Sequence, residues 1–220
     1  MPMPTLGLLM LQTRFPRPLG DIGHAGTFAF AVRQRVVQGA TPTAVVRGRD
    51  VALLQPFIDA GLALVADGCH AIGTSCGFLA RWQHQLQTAL PVPVWTSSLL
   101  QIAALPGRRS GVITMDAASL TAEHLRAVGA DPATPVEGIA PGSPLHRTLM
   151  QDLPDLDQAD ALAQVLAASD RLRARHPLID ALVLECTNLP PYADALRLHT
   201  GLPVWDVVTL LNRRMASLAP

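Results

Sequence analysis

The sequence predicts an α/β protein of two similar parallel-sheet, three-layer domains related by a pseudo-twofold, with the active site between them. Three observations carry this expectation. Two cysteine turns match: Gly73-Thr74-Ser75-Cys76-Gly77-Phe78 follows the aliphatic run Ala71-Ile72, and Glu185-Cys186-Thr187-Asn188-Leu189-Pro190 follows Leu182-Val183-Leu184. Each turn opens a helical pattern, so each cysteine stands at a strand-to-helix junction. A Pro-Val-Trp triplet ends nineteen residues after each cysteine, at Trp95 and at Trp205. The repeat extends backwards, with Gly7-Leu8-Leu9-Met10 answered by Gly111-Val112-Ile113-Thr114. The expected division is residues 1–96 plus 208–220 in the first domain and 97–207 in the second. The helix after Trp95 crosses to the second domain, and the final helix returns to the first.

In the first half, Leu6 to Gln12 is a buried strand. It runs into a Pro/Gly/Arg loop from Thr13 to Gly26, a substrate-facing position at the carboxyl end of a strand. Phe28 to Val37 is expected to be a short helix and Ala44 to Val46 a second strand. Val51 to Ala66 is an amphipathic helix closed by Gly68. Ala71 to Thr74 is the strand before Cys76, followed by a helix to about Thr88, and Val92 to Trp95 is the next strand. Ser97 to Ala104 is the crossover helix, stopped by Pro106-Gly107.

The second half repeats the order. Gly111 to Met115 is a strand, Leu120 to Val128 a helix, and Pro135 to Ile139 a strand. Pro141 to Gln151 is a loop leading into a short helix. From Ala159 to about Arg175, Leu162, Val165, Leu166, Ser169 and Leu172 fall on one helical face. Ile179 to Leu184 is the strand before Cys186. Pro190 and Pro191 fit a first helical turn, where amide hydrogens have no intrahelical acceptor. Val204 to Val207 is the last strand and Thr209 to Ser217 the last helix. Strand and helix alternate throughout, the pattern of parallel sheets covered by helices.

Composition excludes several classes of partner. With 49% hydrophobic and 15% charged residues, the chain of 220 has the makings of a compact core. Formal net charge is zero and no Lys/Arg run exceeds two, so no footprint for nucleic acid or an anionic membrane is present. Near-zero charge is compatible with a homodimer. The apolar run Leu6 to Leu11 follows Met1-Pro2-Met3-Pro4-Thr5, which has no basic residue, and is too short to span a bilayer. Three cysteines without a signal segment point to the cytoplasm and to free thiols.

Cys76 and Cys186 are the candidate catalytic residues. Backbone amides and the positive end of a helix favour a thiolate at such positions. One sulfur on each side of a crevice suits removal of a proton from one face of a carbon acid and return of a proton to the other. That chemistry requires neither metal nor organic cofactor. Thr74, Ser75, Thr187 and Asn188 surround the cysteines with short polar side chains able to hold a carboxylate or carbonyl oxygen.

The two motifs in two repeated α/β halves resemble the aspartate/glutamate/hydantoin racemase superfamily, over essentially the whole chain. The resemblance implies cofactor-independent racemisation or epimerisation beside a carboxylate or carbonyl of a small molecule, with Cys76 and Cys186 as the acid/base pair. It implies that Thr74, Ser75, Thr187, Asn188 and the Gly77 amide bind the substrate's oxygens. Glutamate racemases carry Asn-Thr after the first cysteine and Thr-His after the second, where this chain has Gly77-Phe78 and Thr187-Asn188. Glu185 stands where a glycine is usual, either as a buried structural residue, as a group hydrogen-bonding across the crevice, or as one assisting a thiol. The alternatives are a decarboxylase or cis-trans isomerase of the same superfamily, a dithiol redox protein, and a non-catalytic binding domain.

The remaining candidates are weaker. Arg14, Arg17, Asp21 and His24 lie in the first loop, where they could meet substrate. Ser97 and Ser98 are helix-cap candidates. Trp95 and Trp205 are expected to pack between sheet and helix, and Cys69 in the core. Cys69-His70 is adjacent rather than at ligand spacing, so no metal site is expected.

Overall fold

The computed structural model describes residues 4–48, 51–105 and 107–218. Met1 to Met3 of the leading segment and Pro106 of the predicted helix stop lie outside them. The first sheet contains β1 (Leu6–Met10), β2 (Val32–Val36), β3 (Ala71–Thr74) and β4 (Val94–Trp95), in the order β2-β1-β3-β4, all parallel. The second contains β5 (Ser110–Thr114), β6 (Val136–Gly138), β7 (Ala181–Leu184) and β8 (Val204–Trp205), in the order β6-β5-β7-β8, also parallel. The shared order is the structural form of the sequence repeat. Every residue of β1, β3, β5 and β7 is buried. Central strands covered on both faces are therefore continuous apolar runs without alternation.

Helices flank both sheets: α1 (Pro42–Val46), α2 (Leu54–Ala66), α3 (Gln83–Ala89), α4 (Ala122–Ala127), α5 (Pro144–Met150), α6 (Gln158–Arg175), α7 (Ala193–Thr200) and α8 (Val207–Ala216). Among the described residues, four 3₁₀ segments, Val51–Leu53, Gly77–Trp82, Ser98–Ala104 and Pro190–Tyr192, supplement them. The segment after Trp95 fastens to the second half: the Ser98 hydroxyl donates to the Leu184 carbonyl at 2.6 Å, and Gln101 Nε2 donates to the Asp206 carbonyl at 2.9 Å. In return, Leu210, Leu211 and Met215 of α8 pack with Leu6, Leu8, Met10 and Trp95 of the first half. Among the described residues, no helix is long and apolar enough to cross a membrane.

Two predicted elements are corrected. The stretch Phe28 to Val37, expected to be helical, contains β2, an edge strand whose last four residues are exposed. Its polar centre, Arg33-Gln34-Arg35, suits a one-sided edge, and β-branched Val32 and Val36 favour the strand. Ala44 to Val46, expected to be a strand, belongs to α1. Thr41 caps that helix by accepting from the Ala44 amide at 3.3 Å, and Pro42 occupies its first turn. The last strand also ends sooner than expected, because Asp206 and Thr209 form a reciprocal cap that starts α8 at Val207.

Candidate active site

The same backbone geometry builds both cysteine turns. The Ser75 amide donates to the Leu9 carbonyl and the Glu185 amide to the Ile113 carbonyl, each at 2.9 Å, extending the central ladder one residue past β3 and β7. One residue later the chain breaks into a turn, with Leu79 N donating to Cys76 O at 3.2 Å and Leu189 N to Cys186 O at 3.1 Å. Each cysteine thus caps a 3₁₀ or turn segment at the carboxyl edge of its sheet, the ligand position of such folds. All three cysteines are free thiols. Cys76 and Cys186 open on one cavity of about 40 Å³ between the halves.

The halves meet through short contacts. The Thr187 hydroxyl donates to the Ser75 carbonyl at 2.6 Å, and the Ser75 hydroxyl accepts from the Leu11 amide at 2.8 Å. Gly77 lies so close to Glu185 that a β-carbon there would collide with the carbonyl and carboxylate oxygens of Glu185. From the first loop, Asp21 accepts Asn188 Nδ2 at 2.6 Å and pairs with Arg17 Nη1 at 2.8 Å, while Arg17 Nη2 donates to Thr13 at 2.9 Å.

Burial dominates the electrostatics. It pushes the Cys76 thiol up to about 12, helped by the nearby Glu185 carboxyl and opposed by the Phe78 and Leu79 amides and by Arg81. Burial and then Glu185 push Cys186 well above the ordinary thiol value, against the Asn188 amide. Glu185, fully buried, rises to about 7 through desolvation, and the Thr114 hydroxyl that donates to its Oε2 at 2.6 Å acts in the opposite direction.

The structure brings Cys76, Cys186, Ser75, Gly77, Thr187, Asn188 and Arg17 to the cavity wall. Thr74 spends its hydroxyl hydrogen on protein carbonyls, Thr96 at 2.6 Å and Cys76 at 3.1 Å, tying β3 to β4. Thr187 likewise commits its hydrogen to Ser75. Arg14 is not brought to the site: its side chain is 81% exposed and pairs with Asp152 at 3.3 Å. Asp21 is wholly buried one layer behind Asn188. Ser97 caps the segment after β4 as expected, accepting from the Leu99 amide at 3.3 Å. Trp95 packs beneath α8.

The sequence reading missed the apolar part of the lining, which includes Phe15, Val46, Met115, Leu149 and Met150. These residues come from separate loops and helices, and no local spacing links them. It also missed Arg81, the cation nearest Cys76, which one turn of helix after a cysteine could have signalled. Among the described residues, no three His, Cys, Asp or Glu side chains cluster as a metal set.

Comparison with known proteins places this geometry. No protein-family model matches the chain. Dimethylsulfoniopropionate lyase 7 of Emiliania huxleyi is 31% identical over 231 residues, covering 98% of this chain and 67% of that protein. Lyase 6 of the same organism is 32% identical over 98% of this chain and 60% of its own length. The chain therefore spans about 60 to 67% of these two relatives. Unliganded arylmalonate decarboxylase superposes with a TM-score of 0.63 at 14% identity, over 98% of this chain and 92% of that one. An aspartate racemase homologue from Pyrococcus horikoshii does so with 0.58 at 14%, over 98% and 99%. The chain belongs to the family of these dimethylsulfoniopropionate lyases, and it shares the fold of arylmalonate decarboxylase and of the aspartate racemase homologue. The names of the sequence relatives and of the structural neighbours span lyase, decarboxylase and racemase, and the reaction is left to be argued from the site.

Proposed function

We propose that this chain is a cofactor-independent lyase that takes a proton from the carbon next to a carboxylate and expels a group from the following carbon. Dimethylsulfoniopropionate is the substrate to test first. The observation that carries the reading is one cavity lined both by two buried thiols and a buried carboxyl and by apolar and thioether side chains. A carboxylate suits the polar part of that lining and a dimethylsulfonio group the apolar part. The named activity of the sequence relatives favours elimination over racemisation.

The chemistry balances without an added reactant. A cysteine thiolate takes the α-proton, the C–H electron pair becomes the Cα=Cβ bond, and the Cβ–S bond breaks with its pair staying on sulfur. The products are neutral dimethyl sulfide and acrylate, and the new thiol returns its proton to solvent. A sulfonium also offsets the site's electrostatics. Both thiols are pushed up by burial and by Glu185, and the sulfonium end of the substrate supplies positive charge that favours the thiolate.

Cys76 is the base in this reading, because it faces two amides and Arg81. A second reading, racemisation or epimerisation, is favoured by the matched placement of two thiols and shares the same first step. The test is incubation with dimethylsulfoniopropionate in D2O, with dimethyl sulfide followed by gas chromatography and acrylate by NMR. Release of both in equal amounts supports the lyase. Their absence, with deuterium uptake and loss of optical activity in a single-enantiomer amino acid, replaces it with the racemase.

A further inference from the structure

We propose that Glu185 receives the substrate's carboxylate as a neutral acid, with Oε1 carrying the proton and donating it in a hydrogen bond across the cavity. The inference rests on the carboxylate-bearing substrate proposed above. Glu185 is wholly buried and forms part of the cavity wall. Its two oxygens differ. Oε2 accepts the Thr114 hydroxyl at 2.6 Å, whereas Oε1 is buried without a hydrogen-bond partner. A buried acceptor left in that state is costly, and few such groups persist without a reason. Since Oε2 already receives a proton from Thr114, an added proton belongs on Oε1, which turns the orphan acceptor into a donor lacking an acceptor. A carboxylate entering the cavity completes the pair.

Charge counting leads to the same place. Arg17, the cation on the cavity wall, is held by Asp21 at 2.8 Å and donates its other terminal nitrogen to Thr13. Among the described residues, Glu185 has no ion-pair partner. An ionised Glu185 would place two carboxylates in one buried space, which strongly disfavours the second charge. A protonated Glu185 removes that repulsion and donates to the oxygens on which charge grows as the α-proton leaves. Acids kept neutral by apolar surroundings can serve as such donors. Neutrality also relieves both thiols of a negative neighbour, since Glu185 opposes ionisation of each.

The other titratable or charged groups around this corner are Cys76 with Arg81 behind it, Cys186, Tyr192 and the Arg17–Asp21 pair. His124 lies farther back, against the outer face of Phe78. The thiols and Tyr192 are pushed above their ordinary values, and burial pushes His124 below its own. Glu185 is therefore the group that changes protonation near neutrality.

The test is calorimetric binding of 4-methylpentanoate, the unreactive carbon isostere of dimethylsulfoniopropionate that keeps its carboxylate and lacks the sulfonium charge, in buffers of different ionisation enthalpy. In the wild type, proton uptake on binding should rise from near zero to near one as pH passes about 7, with affinity falling about tenfold per pH unit above that point. Glu185→Gln keeps the Thr114 acceptor and a neutral donor, so its binding should show no proton uptake and a flat pH profile. Glu185→Leu should bind about 10-fold or more weakly than Glu185→Gln across the range. Wild-type binding without proton uptake overturns the proposal. So does failure of the wild type to bind either 4-methylpentanoate or acrylate. Failure of the lyase reading is visible separately, as carboxylate binding with proton uptake but no dimethyl sulfide from the natural sulfonium.

Discussion

Asn188 turns its carbonyl oxygen toward Cys186 because Asp21 has taken its amide. A carboxylate can only accept, so the 2.6 Å contact between Asn188 Nδ2 and Asp21 Oδ2 fixes which end of the amide faces the sulfur. Asn188 Oδ1 then sits 3.6 Å from Cys186 Sγ as an acceptor, and the sulfur must supply the hydrogen. Cys186 is held as a thiol. Cys76 has the opposite surroundings, with the Phe78 and Leu79 amides and Arg81 all favouring its charged form. The pseudo-twofold equates the two cysteines in the backbone, and their neighbours make them chemically unequal.

That inequality separates elimination from racemisation. Elimination needs one base, so Cys76→Ser should lower its rate by about 10² to 10⁴, the range for losing a general base, and Cys186→Ser by about tenfold or less. Racemisation needs a group on each face, and both variants should then lose about 10² or more. Initial rates of dimethyl sulfide release for the two variants, set beside amino-acid racemisation, decide the matter. Equal and large losses in elimination would overturn the assignment of Cys76 as sole base.

The first loop carries two arginines of very different consequence. Arg14 is exposed and its pair with Asp152 is a surface contact, so Arg14→Ala should change stability by less than about 1 kcal/mol. Asp21 is wholly buried and joins Arg17, the Gly23 amide at 2.7 Å and Asn188. Asp21→Ala strands those donors and should cost about 3 kcal/mol, with loss of activity as Asn188 is released. Urea unfolding midpoints for the two variants should differ accordingly; similar midpoints would remove Asp21 from its anchoring role.

The sequence made the cysteine turns legible because the repeat specifies them twice and because central parallel strands are unbroken apolar runs. Edge and connecting elements lacked that redundancy. Val32 to Val36 has no apolar face to advertise a strand, and its identity comes from pairing with β1. Val45 and Val46 suggested a strand by residue type, while Thr41-Pro42 held the overriding helix-start signal. The cavity's polar anchor was illegible for another reason: Asp21 and Asn188 are 167 residues apart, and only the closed fold joins them. Glu185 was visible as an oddity beside Cys186, but its unequal oxygens depend on Thr114 in a different strand.

The contact between the two turns yields another prediction. Gly77 has no side chain at a point where Glu185 presents its backbone carbonyl, and a backbone atom cannot rotate out of the way. Gly77→Ala should therefore force apart the segments carrying Cys76 and Cys186, at about 1 to 3 kcal/mol. A displacement near 1 Å at a reacting sulfur should lower turnover by about 10². Thermal unfolding together with turnover checks both effects, and a variant with wild-type rate would show that the turns need not touch.

Glu185 also predicts an unusual dependence of stability on pH. Its folded value of about 7 exceeds the ordinary 4.5, so between these limits the folded protein binds more protons than the unfolded chain. Stability then falls as pH rises through that window. The cost is missing below about 4.5 and complete above about 7, where the difference corresponds to about 3 kcal/mol. His124 and His146, both pushed below their ordinary value by burial, act the other way and reduce stability as pH falls through the histidine range. Comparison with Glu185→Gln cancels those histidines and also Asp206, which burial raises in both proteins. The variant should be more stable than wild type at about pH 8, by up to about 3 kcal/mol, and the two should converge near pH 4.5. Urea unfolding across that range measures the gap directly. Parallel curves would mean that the folded protein holds Glu185 in one protonation state throughout, and would remove the titrating carboxyl from the cavity.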